Sequence, residues 1–242
     1  MRNIKLTIEF DGSGFHGWQI QGELPTVQGA LEDAIARLTG ERIRVIGAGR
    51  TDAGVHALGQ VANFHTRSKL DVSQIGAALN GILPRSVYVH EAIEVALDFN
   101  ARFAARTRRY RYRLLRGRSP MRRKWAWEVP FVFDPQPIRD ALRTLEGRHD
   151  FTSFTLHALE QHGRVATILD LLWQDGPDEC VLEIEADRFL RGMVRSIVGT
   201  LVQIGRGKLA VEDLERILEA RDRQEAGPTA PAHGLCLLSV SY

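Results

Sequence analysis

The sequence predicts an α+β protein built from two similarly organised halves, and three observations carry that prediction. Strand-like alternation opens the chain, helix-like stretches bounded by capping residues follow, and the order strand, helix, strand, strand, helix, strand then occurs a second time. Two βαββαβ units imply two ferredoxin-like halves with antiparallel sheets, helices packed on one face and a central cleft. The division is expected near residue 100, giving segments 1–100 and 101–242.

Each element follows from its residues. Positions 3–10 (NIKLTIEF) place Ile4, Leu6, Ile8 and Phe10 on one side and Lys5, Thr7 and Glu9 on the other, the pattern of a half-buried strand. Thr26 is placed to cap a helix through Val27, Leu31, Ala34, Ile35 and Leu38 that stops at Gly40. Short apolar runs at 42–47 and 57–65 read as strands. Asp71 is placed to cap a second helix through Val72, Ile75, Ala78 and Leu79, ended by Gly81 and Pro84, before a strand at 86–95.

The second half repeats this order without visible sequence similarity. A strand is expected at 106–116 and a helix at 135–146, starting from Asp134-Pro135. Strands at 165–174 and 179–186 are joined by the turn Asp175-Gly176-Pro177. Helices are expected at 188–205 and 211–220, and a closing strand at 234–241.

Composition sets the class. With 242 residues, 44% hydrophobic and 26% charged, the chain is long enough for a real core and has no fibrous or disordered bias. The apolar runs fall far short of the roughly 18 residues needed to span a bilayer, and MRNIKLTIEF begins directly as a strand, so neither a membrane span nor a signal peptide is expected. The two cysteines, Cys180 and Cys236, make no disulfide framework, which fits a reducing, cytoplasmic location.

The net charge of +2 conceals an asymmetry. Residues 101–124 hold 11 of the 32 cations and no acid, leaving 21 cations against 30 anions elsewhere. Arg outnumbers Lys 28 to 4, and Arg suits bidentate phosphate contact and stacking on bases. A field concentrated in one stretch points to a polyanion, most simply nucleic acid, although a solvated basic face would have the same composition.

Three motifs bear on chemistry. Gly12–Gly17 (GSGFHG) matches the spacing of a dinucleotide fingerprint, but no helix opens at its third glycine and no acid ends a second parallel strand about 20 residues on. No nucleotide cofactor is therefore expected. The plainer reading is a loop that brings Asp11, Phe15, Trp18 and Gln19 near a ligand or a neighbouring segment. His157 and His162 lack a third metal ligand at suitable spacing, so no metal is expected.

The segment Gly47–His56 (GAGRTDAGVH) is the third. Its glycines permit close backbone approach, while Arg50 and Asp52 project from one loop. A neighbouring Arg keeps an Asp ionised, which suits a nucleophile rather than a general acid. In isolation the same loop would equally serve as a hairpin connection with a surface ion pair.

GAGRTDAGVHALGQVANF resembles the catalytic segment of the tRNA pseudouridine synthase A family, and the resemblance covers nearly the whole chain. FDGSGFHGWQIQ, ARFAARTRRYRY, HDFTSF, FLRGMVRSIVG and APAHGLCLLSV are similar to motifs of that family in the same order. The resemblance implies isomerisation of uridine to pseudouridine in the tRNA anticodon stem-loop, by an aspartate and a flipped base, without cofactor or metal, in a homodimer. It implies that Asp52 is the catalytic aspartate and that Arg50 takes the place of the flipped base. Tyr110 would stack on the target uracil, Arg195 would pair with the aspartate, and Leu235 would pack below the base. Arg108, Arg109 and Arg111 are the expected phosphate contacts within the basic stretch. A non-catalytic RNA-binding protein and a nucleotide-binding oxidoreductase remain the other two classes.

Overall fold

The computed structural model describes residues 1–156 and 163–242, so His157 and His162 lie outside the described residues. In chain order the elements are β1 (Arg2–Phe10), α1 (Val27–Thr39), β2 (Ile46–Gly47), β3 (His56–Thr66), α2 (Val72–Ile82) and β4 (Val87–Val95). There follow β5 (Thr107–Arg116), β6 (Trp127–Val129), α3 (Pro135–Leu145), β7 (Gly147–Asp150), β8 (Val165–Asp175), β9 (Glu179–Ala186), α4 (Met193–Gly205), α5 (Asp213–Ala220) and β10 (Leu235–Ser241). The fold is α+β with mostly antiparallel pairing, as the alternation of periods predicts.

The chain divides into two compact units. The first comprises Met1–Arg106 with Cys236–Tyr242, and the second Thr107–Leu235. The expected segments thus need correction: the boundary falls after Arg106, and the C-terminal strand, placed in the second half from the sequence, belongs with the first. Cys236 and Leu237 pair in parallel with His56 and Ala57 of β3, and Tyr242 donates its hydroxyl to the Ala101 carbonyl.

In unit 1, β1 lies between β4 and β3, antiparallel to both, and β2 adds to β3. The βαββαβ order is complete in this unit. Ile4, Leu6 and Ile8 are fully buried and Phe10 nearly so, which confirms the face read from alternation. Thr26 caps α1 by accepting from the Gly29 amide, and Gly40 ends it in the left-handed region at φ +76°. Asp71 caps α2 by accepting from the Ser73 amide. The strand expected at 42–47 shrinks to two residues because α1 takes its backbone groups. Gln28 donates to the Val45 carbonyl at 3.1 Å, and the Val45 amide donates to Glu32 at 2.9 Å.

In unit 2 the sheet order is β5-β9-β8-β7, with β6 parallel to β5 on its other edge. β6 and β7 are only three and four residues long, too short to show a period. The helix expected at 188–205 begins only at Met193, because Gly192 adopts φ +71° and interrupts the helical path. A side chain at Gly192 would also lie 2.5 Å from Leu156, whose amide donates to the Arg191 carbonyl at 3.0 Å. Among the described residues, no helix is long and apolar enough to cross a membrane, and no three His, Cys, Asp or Glu side chains form a metal-holding group.

Candidate functional site

Unit 1 carries Arg50 and Asp52 on the loop between β2 and β3. The GSGFHG loop is the partner of this segment and holds it from one side. The amide of Gly12 donates to His56 Nδ1 at 3.1 Å, and the amide of Trp18 donates to the Thr51 carbonyl at 3.1 Å. Asp11 Oδ1 lies 3.2 Å from His56 Nδ1. The approach is too close for side chains: a Cβ at Gly12 would sit 2.0 Å from the Val55 carbonyl oxygen, and one at Gly17 2.6 Å from that of Thr51. Gly47 faces the Trp18 ring, where a Cβ would lie 2.5 Å from the indole. These glycines serve contact between two loops, the neighbouring-segment alternative for GSGFHG.

From the other side, Gln60 donates to the Gly49 carbonyl at 3.1 Å, and the Ala48 amide donates to Val61 at 2.8 Å. Asp52 is therefore presented, partly exposed, from a backbone anchored at Ala48, Gly49, Thr51 and Val55. Arg50 is exposed. Partial desolvation, and then the like charges of Arg102 and Arg44, push its pKa below the usual arginine value, and it remains cationic at neutral pH. Sequence reasoning passed over this cationic group, because residues 44, 50 and 102 share no spacing that would link them.

Unit 2 carries Tyr110, Arg195, Leu235 and the three arginines of β5. Tyr110 is 8% exposed and packs edge-on against Phe189, with ring centroids 5.0 Å apart. Tyr112, two residues along on the same strand face, donates its hydroxyl to the Pro231 carbonyl at 2.8 Å. Burial pushes the Tyr112 pKa upward against the opposing effect of Arg195, so this hydroxyl stays protonated. Arg195 on α4 donates through Nε to the Ala230 carbonyl at 2.8 Å, and the Ala230 amide returns a bond to the Arg195 carbonyl at 3.0 Å.

The segment before Ala230 presses on α4 so closely that a Cβ at Gly199 would lie 1.6 Å from the Pro228 oxygen. A Cβ at Gly234 would meet the Tyr112 ring at 2.6 Å, and the next residue, Leu235, is buried. Tyr112 thereby braces the 231–235 segment against β5.

The three arginines of β5 do not act as one group. Arg108 lies on the Tyr110 face by strand alternation and donates to the Asp187 carbonyl at 2.9 Å. Arg109 and Arg111 point to the opposite face and meet carboxylates. Arg109 contacts Glu185 at 2.6 Å and Asp170 at 2.8 Å, and Arg111 contacts Glu183 at 2.7 Å. Arg113 continues the ladder with Glu179. Part of the acid-free stretch read from the sequence is therefore met by carboxylates across the sheet, and the structure does not bring Arg109 or Arg111 together with Tyr110.

Comparisons with known proteins identify the family of the chain. A family model described as tRNA pseudouridine synthase matches residues 6–104 and 141–242. The chain is 44% identical over 248 residues to tRNA pseudouridine synthase A of Moorella thermoacetica, covering 99% of each chain. It is 43% identical over 244 residues to that of Acetivibrio thermocellus, and 40% identical over 244 residues to that of Thermoanaerobacter sp. (strain X514), covering 100% of both chains in each case. Fold and comparisons together define an RNA-modifying isomerase. The chain belongs to the tRNA pseudouridine synthase family.

Proposed function

We propose that this enzyme converts uridine to pseudouridine in the anticodon stem-loop of tRNA, with Asp52 as nucleophile and the target base flipped out of its stack. The observation that carries the reading is the anchoring of the Arg50–Asp52 segment by two sets of backbone contacts, in a chain matched end to end by relatives named for this reaction. The reaction breaks the C1′–N1 bond, turns the uracil and joins C5 to C1′, while the proton on C5 is lost and one is gained at N1. A base inside a stem cannot turn, so it must leave the stack and be gripped throughout. Flipping costs a few kcal/mol, and one aromatic stack recovers about 1–3 kcal/mol.

Tyr110 is assigned the stacking face and, through its hydroxyl, the proton on C5. Its burial against Phe189 supports a fixed ring. Arg195 is assigned the countercharge of the carboxylate, and its bond to Ala230 supports a fixed guanidinium. Leu235 is assigned the apolar floor below the base. Arg50 is assigned the space the base vacates, and Arg108 contact with phosphate. Phosphate contact by Arg109 or Arg111 would require exchange of a carboxylate partner, so we assign them first to the interstrand ladder. The resemblance further assigns a homodimer in the cytoplasm, with one tRNA contacting both subunits and no cofactor.

The test is Asp52→Asn with tRNA labelled with tritium at uridine C5. Binding is expected to persist while tritium release and pseudouridine formation cease. Pseudouridine formed by the purified variant, with deamidation excluded by mass spectrometry, would overturn the nucleophile. Binding without product in the wild-type protein would favour the non-catalytic RNA-binding class.

A further inference from the structure

We propose that Phe103 and Arg102 form a stacking platform for an unpaired RNA base next to the catalytic loop. The inference rests on the tRNA reading above and extends the substrate contacts beyond the residues assigned there.

Phe103 is 80% exposed, although it lies in a turn fixed on every side. Asn100 Oδ1 accepts from the amides of both Arg102 and Phe103, at 3.0 and 3.2 Å, and the Ala104 amide closes on the Asn100 carbonyl at 2.9 Å. The residue after Asn100, Ala101, is fully buried. Its amide donates to Asn63 at 2.8 Å and its carbonyl accepts from Tyr242 at 2.9 Å. Asn63 in turn donates to Asn3 at 2.9 Å, in a fully buried pair that spans β1 and β3.

A scattered exposed apolar residue on a loose surface loop needs no explanation. Here the backbone is tied to the sheet, and the ring projects outward from it. The backbone part of the ordering on binding is thereby met before any ligand arrives.

The surroundings identify the ligand. The Arg102 guanidinium lies 5.6 Å from the Phe103 ring centroid, within cation–π range. Its charge acts on Arg50, as does that of Arg44. Ala101 packs in one cluster with Ala48, which precedes Arg50 by two residues, so the turn and the catalytic loop share a foundation. A planar ring beside arginines meets the two needs of a single-stranded nucleotide, a stack for the base and a cation for the phosphate. A protein partner would gain the apolar contact but would need acids to meet these arginines.

The experiment compares Phe103→Ala, Phe103→Leu and Phe103→Trp for equilibrium binding of an unmodified tRNA transcript, with the thermal midpoint and solution mass measured for each. Loss of one base stack is expected to weaken binding roughly tenfold for Ala. Leu is expected to behave like Ala, since it lacks a π-face, and Trp to bind at least as well as the wild type. The thermal midpoint should stay unchanged, because the side chain is exposed. Equal affinity for Ala and wild type, or full rescue by Leu, would overturn the platform. So would a change in solution mass with RNA affinity intact, which would make Phe103 a contact between copies. Binding is read without turnover, so a wild-type protein that binds tRNA but forms no pseudouridine would sink the catalytic reading and leave this test standing.

Discussion

The amide of Trp18 donates to the carbonyl of Thr51 at 3.1 Å, joining the glycine loop after β1 to the residue immediately before the candidate nucleophile. The GSGFHG segment is thus part of the scaffold that holds Asp52, and its Gly12 and Gly17 are needed where two backbones meet.

Gly12→Ala should show this directly. Its Cβ would lie 2.0 Å from the Val55 carbonyl oxygen, so backbone must move. A loss of about 1–3 kcal/mol in stability is expected, together with reduced turnover from a displaced Asp52. Gly14→Ala meets nothing within 4 Å and should stay within about 0.5 kcal/mol of wild type. Thermal melts and tritium release on both variants check the contrast.

Tyr110→Phe keeps the ring against Phe189 and removes only the hydroxyl. If the hydroxyl handles the C5 proton, tRNA binding should persist while turnover drops by about 10²-fold or more. Unaltered turnover would assign Tyr110 to stacking alone. Single-turnover kinetics with saturating enzyme separates the two.

Salt dependence should distinguish the arginines. Each phosphate contact to single-stranded RNA contributes about −0.7 to the slope of log K against log salt. Arg108→Gln, at the arginine assigned to phosphate, is expected to flatten the slope by about that amount. Arg111→Gln should change it less, because the arginine is already met by Glu183, and should cost roughly 0–1 kcal/mol of stability as a partly exposed pair. Binding titrations at several salt concentrations decide this.

His233 predicts a pH effect. Burial, followed in size by the opposing bond involving Ala126 and the charge of Glu128, leaves its pKa below the ordinary value of 6.5. The folded protein therefore favours the neutral ring, while the unfolded chain takes up a proton more readily. The contribution to stability is complete above about pH 6.5 and is lost as the pH falls toward the lower, folded-state pKa. The melting temperature should decline over that range, and this component should disappear in His233→Asn. Melts between pH 5 and 8 provide the measurement.

Local rules made much of the molecule legible. Alternation over 3–10 marked the buried face of β1, Thr26 and Asp71 marked helix starts, and the glycines and charges of 47–56 marked the candidate site. Each depends on neighbours a few residues away, so periodicity and capping chemistry are written within the segment itself. The resemblance in ordered motifs carried the reading to the tRNA pseudouridine synthase family before any contact was known.

Tertiary structure decided what depends on residues distant in the chain. Two cations of the basic stretch are met by carboxylates because β9 sets Glu183 and Glu185 beside Arg111 and Arg109, more than 70 residues away. The charge of Arg102 reaches Arg50 from a distant part of the sequence, and Cys236–Tyr242 joins the first unit through a pairing with β3 that no local spacing encodes. A strand's own sequence determines which side chains share a face, but the adjacent strand determines whether their charges are met. That is why the elements could be read from sequence, while the field they present to RNA required the fold.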